Sequence, residues 1–222
     1  LGAAGVRVPG GFAVTTQAFR AHLREAGLEK PIEEKLTRLD VGDLRALAVA
    51  GEWIRRAIST PPLPRRVAEE LQRAYGELSV RYGEAETDVS VRSSATAEDL
   101  PSASFAGQHE SYLNVRGAAD LERSIRACMA SLYTDRAIVY RHQLGIADAE
   151  VALSVGVQKM VRSDLACSGV MFTLDTESGF REVVLITGSY GLGELIVKGR
   201  VNPDEFWVHK ATLRAGFRPI LR

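Results

Sequence analysis

Asp88-Val89-Ser90-Val91-Arg92-Ser93-Ser94 is the stretch on which the reading of the fold turns. Its apolar side chains recur at every second residue, so a strand here sends Val89 and Val91 to one face and Ser90, Arg92 and Ser94 to the other. A guanidinium is thereby carried on the polar face of a strand. Upstream of this point the apolar period is helical, and downstream a period of two returns several times. The pattern predicts an α+β chain: a mainly helical part over 1–85, then a sheet-rich part over 86–222 built on a mixed β-sheet.

Working back from residue 88, four helices are predicted. Thr15 and Thr16 can cap one whose apolar positions include Ala18, Phe19 and Leu23, with Gly27 at its stop. A short second helix follows Pro31, with Ile32, Leu36 and Leu39 on one stripe. Leu44, Leu47, Ile54 and Ile58 keep helical spacing up to Pro61-Pro62, and Val67, Leu71 and Leu78 mark a fourth helix after Pro64. Working forward, a strand is expected over 109–115. Helices carrying Leu121, Ile125, Cys128 and Leu132, and then residues 135–143, come next. Val151, Leu153, Val155 and Val157 alternate with smaller or polar residues in the clearest strand, and shorter strands are predicted at 168–174, 182–187 and 205–209. There is no internal repeat and no low-complexity linker.

Composition narrows the function classes. The 222 residues are 45% hydrophobic and 25% charged, with 28 basic side chains against 28 acidic ones. No net field draws such a chain to nucleic acid or to an anionic membrane, so an anionic ligand must be met by local charge. No apolar run has the length of a membrane span, and Leu1-Gly2-Ala3-Ala4-Gly5 lacks the regions of a signal peptide, which gives a cytoplasmic reading. Cys128 and Cys167 lie far apart with no CxxC, so buried thiols are expected rather than a zinc site or a disulfide framework.

Four segments could carry chemistry. In the first, Arg92 and the following Ser93–Gln108, rich in hydroxyl and glycine residues, supply a forked donor and approachable backbone N–H groups suited to phosphate oxygens. Spacing alone favours a surface loop with Arg92 paired to Glu98 or Asp99. In the second, Asp135-Arg136-Ala137-Ile138-Val139-Tyr140-Arg141, the two arginines are turned about 140° apart on a helix and do not form one clamp, although either can reach a phosphate alone. The third, Gln158-Lys159-Met160-Val161, offers the apolar and backbone groups that an adenine ring needs, but equally reads as core. Lys159 is left as a surface charge or a phosphate ligand. The fourth, Gly188-Ser189-Tyr190-Gly191-Leu192-Gly193-Glu194, lacks the third glycine of a dinucleotide fingerprint because Ile196 stands there, and reads equally as a turn or as a ligand-facing loop.

Taken in order, these segments resemble the N-terminal nucleotide-binding domain shared by phosphoenolpyruvate synthase, pyruvate phosphate dikinase and rifampin phosphotransferase. The likeness runs through Gly11-Phe12-Ala13-Val14-Thr15-Thr16, VRSSATAEDLPSASFAGQ at 91–108, SLYTDRAIVYR at 131–141 and Val201-Asn202-Pro203-Asp204-Glu205. Ser168-Gly169-Val170-Met171-Phe172, Asp175-Thr176-Glu177-Ser178-Gly179-Phe180, and Gly191-Leu192-Gly193-Glu194 leading to Val201–Glu205 favour the synthase branch. The resemblance implies an ATP-grasp type domain, incomplete at both ends, covering 1–222. By it Arg92 and Arg136 hold ATP phosphates and take the catalytic role. The loop from Ser102 to Gly107, with Ser104, Ala106 and Gly107, closes over those phosphates, and Gln158, Met160 and Val161 border the adenine.

The reaction so implied moves the terminal diphosphate of ATP to a histidine, releasing AMP. Water then removes one phosphate and pyruvate receives the other. ATP is the implied cofactor together with Mg2+, whose main ligands are expected outside these residues, so none here is assigned to metal. The implied partner is the phosphohistidine domain of a longer chain, with a homodimer left open and no nucleic acid or membrane. None of His22, His109, His142 and His209 sits in the family's phosphohistidine motif, so the chain alone is expected not to complete the reaction. A rifampin phosphotransferase-like domain and a non-catalytic nucleotide-binding module are the competing expectations.

Overall fold

The computed structural model describes residues 5–95, 111–146 and 151–221. They divide into two compact units, one ending at Met160 and the other beginning at Val161.

The first unit opens with a four-residue strand, β1 (Gly11–Val14), followed by four helices: α1 (Thr16–Glu25), α2 (Glu29–Thr37), α3 (Leu44–Ser59) and α4 (Arg65–Arg81). Then come β2 (Val89–Ala95), β3 (Ser111–Val115), α5 (Ala118–Ser131), α6 (Asp135–Leu144) and β4 (Leu153–Lys159). Thr15 caps α1, its side chain accepting from the Ala18 N–H at 3.4 Å, and Asp43 caps α3 through the N–H groups of Arg45 and Ala46. Two details differ from the sequence pattern. Helix α2 begins at Glu29, so Pro31 sits in its first turn, where a missing N–H costs nothing. Leu44, placed on the apolar stripe of α3, is exposed because it is the first residue of that helix.

The sheet has the order β1-β4-β2-β3, all pairs antiparallel. Its core face carries Val89, Val91, Leu153, Val155 and Val157, none more than 1% exposed. Helix α5 lies under β2, its buried Cys128 Sγ 3.8 Å from the Val91 carbonyl, and shares a cluster with Ile54 and Ile58 of α3. Each such fully buried aliphatic contributes about 1.5–3 kcal/mol by leaving water. Tyr75 of α4 ties two loops to this layer: its hydroxyl donates to the Thr87 carbonyl at 2.7 Å and accepts from the Gly117 N–H at 2.9 Å. On edge strand β3 the register slips between the partners of Val89 and Val91, and Asn114 takes a positive φ of 56° there, the conformation of an inserted bulge residue.

The second unit is a meander with the order β5-β6-β7-β8: β5 (Cys167–Phe172), β6 (Val183–Tyr190), β7 (Asp204–His209) and β8 (Ile220–Leu221). Short helices α7 (Glu194–Val197) and α8 (Lys210–Arg214) sit between its strands in sequence. Gly191, at φ 90°, turns the chain after β6; its N–H donates to the Ala166 carbonyl at 3.1 Å, and Ser168 Oγ donates to the Gly191 carbonyl at 2.7 Å. The glycine-rich segment is therefore clipped back onto the start of β5.

Three expectations are corrected. The single mixed sheet is two separate antiparallel sheets, because β1 and β2 pair with β4 while the strands after Val161 pair only among themselves. The helical leader also contributes a strand, since β1 lies along β4 with Gly11 opposite Gln158 and Val14 opposite Val155. Only Cys128 is a buried thiol; Cys167 is exposed at the start of β5.

Candidate functional site

Alternation puts a second set of side chains on the face of the first sheet opposite the core. Directly paired residues of antiparallel strands point the same way. The register therefore gathers Ala13 of β1, Ser90, Arg92 and Ser94 of β2, and Ser154, Gly156 and Gln158 of β4 on that face. Arg92 is the one charged residue among these positions. It is exposed, lies opposite Gly156 on β4, and pairs with Ser111 on β3. Its guanidinium has no hydrogen-bond or ion-pair partner among the described residues. The surrounding hydroxyls are partly engaged with the backbone: Ser154 Oγ donates to the Ser94 carbonyl at 3.2 Å, and Ser90 Oγ to the Gln158 carbonyl at 3.4 Å. Among the described residues, a cation on a face of serines and glycine has no counter-charge beside it, an arrangement that suits an anion.

The sequence-predicted residues are distributed as follows. Arg92 and Gln158 share the polar face, and the Gln158 side-chain amide donates to the Pro9 carbonyl at 3.2 Å, fixing it beside the entry to β1. Met160 follows the end of β4, is 8% exposed, and donates its N–H to the Asp88 carbonyl at 3.0 Å. Val161 is exposed and belongs to the second unit. Ser104, Ala106 and Gly107 lie outside the described residues, as do Glu98 and Asp99.

Arg136 occupies the first turn of α6, is exposed, and has no partner among the described residues. A cation at a helix N-terminus works against the helix dipole unless an anion meets it. Arg141, five residues on, is 1% exposed; its Nη1 donates to the Leu132 carbonyl at 2.6 Å, and its guanidinium lies 5.3 Å from the Tyr133 ring centre. The two arginines of this helix thus have different tasks, one outward and one structural.

Lys159, left open by the sequence, is committed to protein carboxylates. Its ammonium donates to both Glu84 oxygens at 3.0 and 3.1 Å and also to Asp88, and lies 5.7 Å from the Tyr82 ring centre. Burial by itself would lower the lysine's pKa, but the hydrogen bonds to Asp88 and Glu84 outweigh it and leave the pKa above the ordinary value. The bond from Lys159 holds the Glu84 carboxyl below its usual range. Nothing near Lys159 in sequence signals this, because Glu84 and Asp88 are 75 and 71 residues away.

The groove of about 550 Å3 between α1, α2 and α6 is floored by Phe19, Leu23, Ile32 and Ile138, and neither Arg92 nor Arg136 lines it. His22 is buried with Nε2 2.8 Å from the Ile58 carbonyl, and His209 Nδ1 lies 3.0 Å from Thr212 Oγ1. His109 is outside the described residues. Among those described, no group of three or more His, Cys, Asp or Glu side chains is arranged to hold a metal ion, and no helix is long and apolar enough to cross a membrane.

Comparison with known proteins gives the kind of domain that carries this face. Residues 1–221 match the model of the pyruvate phosphate dikinase AMP/ATP-binding domain, and the chain belongs to that family. Among curated relatives it is 54% identical over 221 residues to phosphoenolpyruvate synthase of a Synechocystis strain, covering 98% of this chain and 27% of that protein. It is 54% identical over 222 residues to the enzyme of the same name from Deinococcus radiodurans, covering all of this chain and 28% of that protein. The Escherichia coli phosphoenolpyruvate synthase is 50% identical over 218 residues, with 98% of this chain and 27% of that protein covered. The chain thus spans little more than a quarter of the length of these relatives.

Proposed function

We propose that this chain is the ATP-gripping part of a phosphoenolpyruvate synthase, with the whole of 1–222 forming part of an ATP-grasp type domain. The observation that carries the reading is Arg92, an exposed guanidinium on a polar sheet face with no partner among the described residues. Arg92 and Arg136 meet the phosphates of ATP, with Ser104, Ala106 and Gly107 as further phosphate-binding residues. Gln158, Met160 and Val161 border the adenine. In the full-length enzyme the terminal diphosphate passes to a histidine of another domain with release of AMP; water takes one phosphate, and pyruvate takes the other to become phosphoenolpyruvate.

Phosphoryl transfers of this kind ask little covalent chemistry of the nucleotide-binding protein. Positioning and neutralisation of charge on the phosphate oxygens carry most of the effect, and two arginines are suited to both. Magnesium enters as the family's usual companion of ATP. No metal-holding cluster exists among the described residues. A site in the cytoplasm fits this metabolic reading.

The test is an assay of the full-length enzyme with ATP and pyruvate. The proposal requires AMP and phosphate to appear together with phosphoenolpyruvate, and AMP formation to fall when Arg92 becomes alanine. ATP turnover that yields only ADP, or that ignores pyruvate, contradicts it.

A further inference from the structure

Gly51 stands in the middle of α3, buried, at a position where glycine is the poorest helix former apart from proline. Its surroundings explain the choice. A Cβ at this position would stand 2.6 Å from Asp135 Oδ1, 2.8 Å from Arg55 Nη1 and 3.3 Å from the Tyr133 carbonyl oxygen. The first two atoms are the ends of partly exposed side chains that are bonded to each other. Arg55 Nη1 donates to Asp135 Oδ1 at 2.9 Å and to the Tyr133 carbonyl at 2.8 Å, so displacing one releases the other. These contacts cross 78 and 80 residues and meet at the corner between α5 and α6.

That corner is held from two more directions. Arg141, buried within α6, donates to the Leu132 carbonyl, the residue before Tyr133. Thr134 caps α6 by accepting from the Ala137 N–H at 3.4 Å. Arginines therefore satisfy two successive carbonyls at the end of α5, while Asp135 opens α6 with a carboxylate; both charges suit the helix ends they occupy. The next residue is Arg136. Of the arginines at this corner, Arg55 and Arg141 are tied down, and Arg136 alone points outward without a partner among the described residues.

We infer that Gly51 and Arg55 are positioning residues for Arg136: the glycine lets Arg55 reach Asp135 and the Tyr133 carbonyl, and that clasp fixes the first turn of α6 from which Arg136 meets phosphate. The inference rests on the reading of Arg136 given above. Neither residue touches the nucleotide. Their effect is on where the guanidinium stands, and small misplacements of a charge-stabilising group cost a reaction disproportionately.

The experiment is a double-mutant cycle in the full-length enzyme, reading kcat/KM for ATP, the thermal midpoint, and amide hydrogen exchange in the first turn of α6. Gly51→Ala and Arg55→Met should each lower kcat/KM for ATP about tenfold and loosen exchange at Ala137 and Ile138, with Arg55→Lys recovering part of the loss. In an Arg136→Ala background the same changes should have little further effect on kcat/KM. Helix propensity alone predicts the opposite for Gly51→Ala: a raised thermal midpoint with activity and exchange unchanged, and that result overturns the inference. Equal losses with and without Arg136 overturn it as well, since the clasp would then act through something else. An Arg136→Ala enzyme that uses ATP normally removes the phosphate reading on which the inference rests, and the exchange data show separately whether the clasp orders the corner.

Discussion

Arg92 and Gly156 face each other directly across the β2–β4 pair, so the guanidinium leaves the sheet over a position with no side chain. An added Cβ at 156 would meet nothing nearer than the Arg92 carbonyl at 3.8 Å, an ordinary contact. The backbone therefore tolerates a side chain there, while the space beside the guanidinium does not stay open.

Gly156→Val in the full-length enzyme should weaken ATP binding by about 10–100-fold, corresponding to the loss of about 1.5–3 kcal/mol for a hydrogen bond to a charged group. Valine suits a strand, so the thermal midpoint should hold or rise. Calorimetric titration alongside thermal unfolding checks both; unchanged affinity would show that the face beside Arg92 is not where the nucleotide lies.

Glu84 and Lys159 give a pH signature. The Glu84 pKa is depressed below its ordinary value of 4.5, chiefly by the hydrogen bond from Lys159, so its stabilisation is present above 4.5 and lost as pH falls through the lower native value. Lys159 is shifted the other way: its stabilisation is complete below its ordinary value of 10.5 and lost as pH rises through the higher native one. The clasp is therefore intact across neutral pH. Glu84→Gln should flatten the acid limb of stability below pH 4.5 while leaving ATP affinity unchanged, as followed by denaturant unfolding at a series of pH values.

Tyr75→Phe should destabilise by about 1–3 kcal/mol, because the Thr87 carbonyl and the Gly117 N–H each lose a partner in a place water does not reach freely. Denaturant unfolding measures it. A change below a few tenths of a kcal/mol would mean that both groups find replacements.

Much of the first unit was legible because its signals are local. The Thr15 cap, the apolar stripes of α3 and α4 and the alternation in β2 and β4 each lie within one element, and alternation alone predicted that Arg92 stands opposite the core. What escaped depends on distant partners. Strand β1 is four residues long and exists as a strand through pairing with β4, some 145 residues later in the chain, beyond any periodicity argument. The division into two sheets is a fact of pairing and not of composition. Arg136 and Arg141 read alike in sequence, and only the Leu132 carbonyl beneath α6 separates the buried one from the exposed one. The glycine at 51 passes unmarked among the apolar positions of α3, and its meaning depends on Asp135, 84 positions away.

The central claim is that the Arg92 guanidinium binds the negative end of ATP and does little for the fold. The direct test is calorimetric ATP affinity of the full-length enzyme and its Arg92→Ala variant, with thermal unfolding of both. Arg92 is exposed while Val89 and Val91 carry the packing, so affinity should fall by more than about tenfold with the thermal midpoint nearly unchanged. Equal affinity for ATP in the two proteins, or a loss of stability as large as the loss of binding, would contradict it.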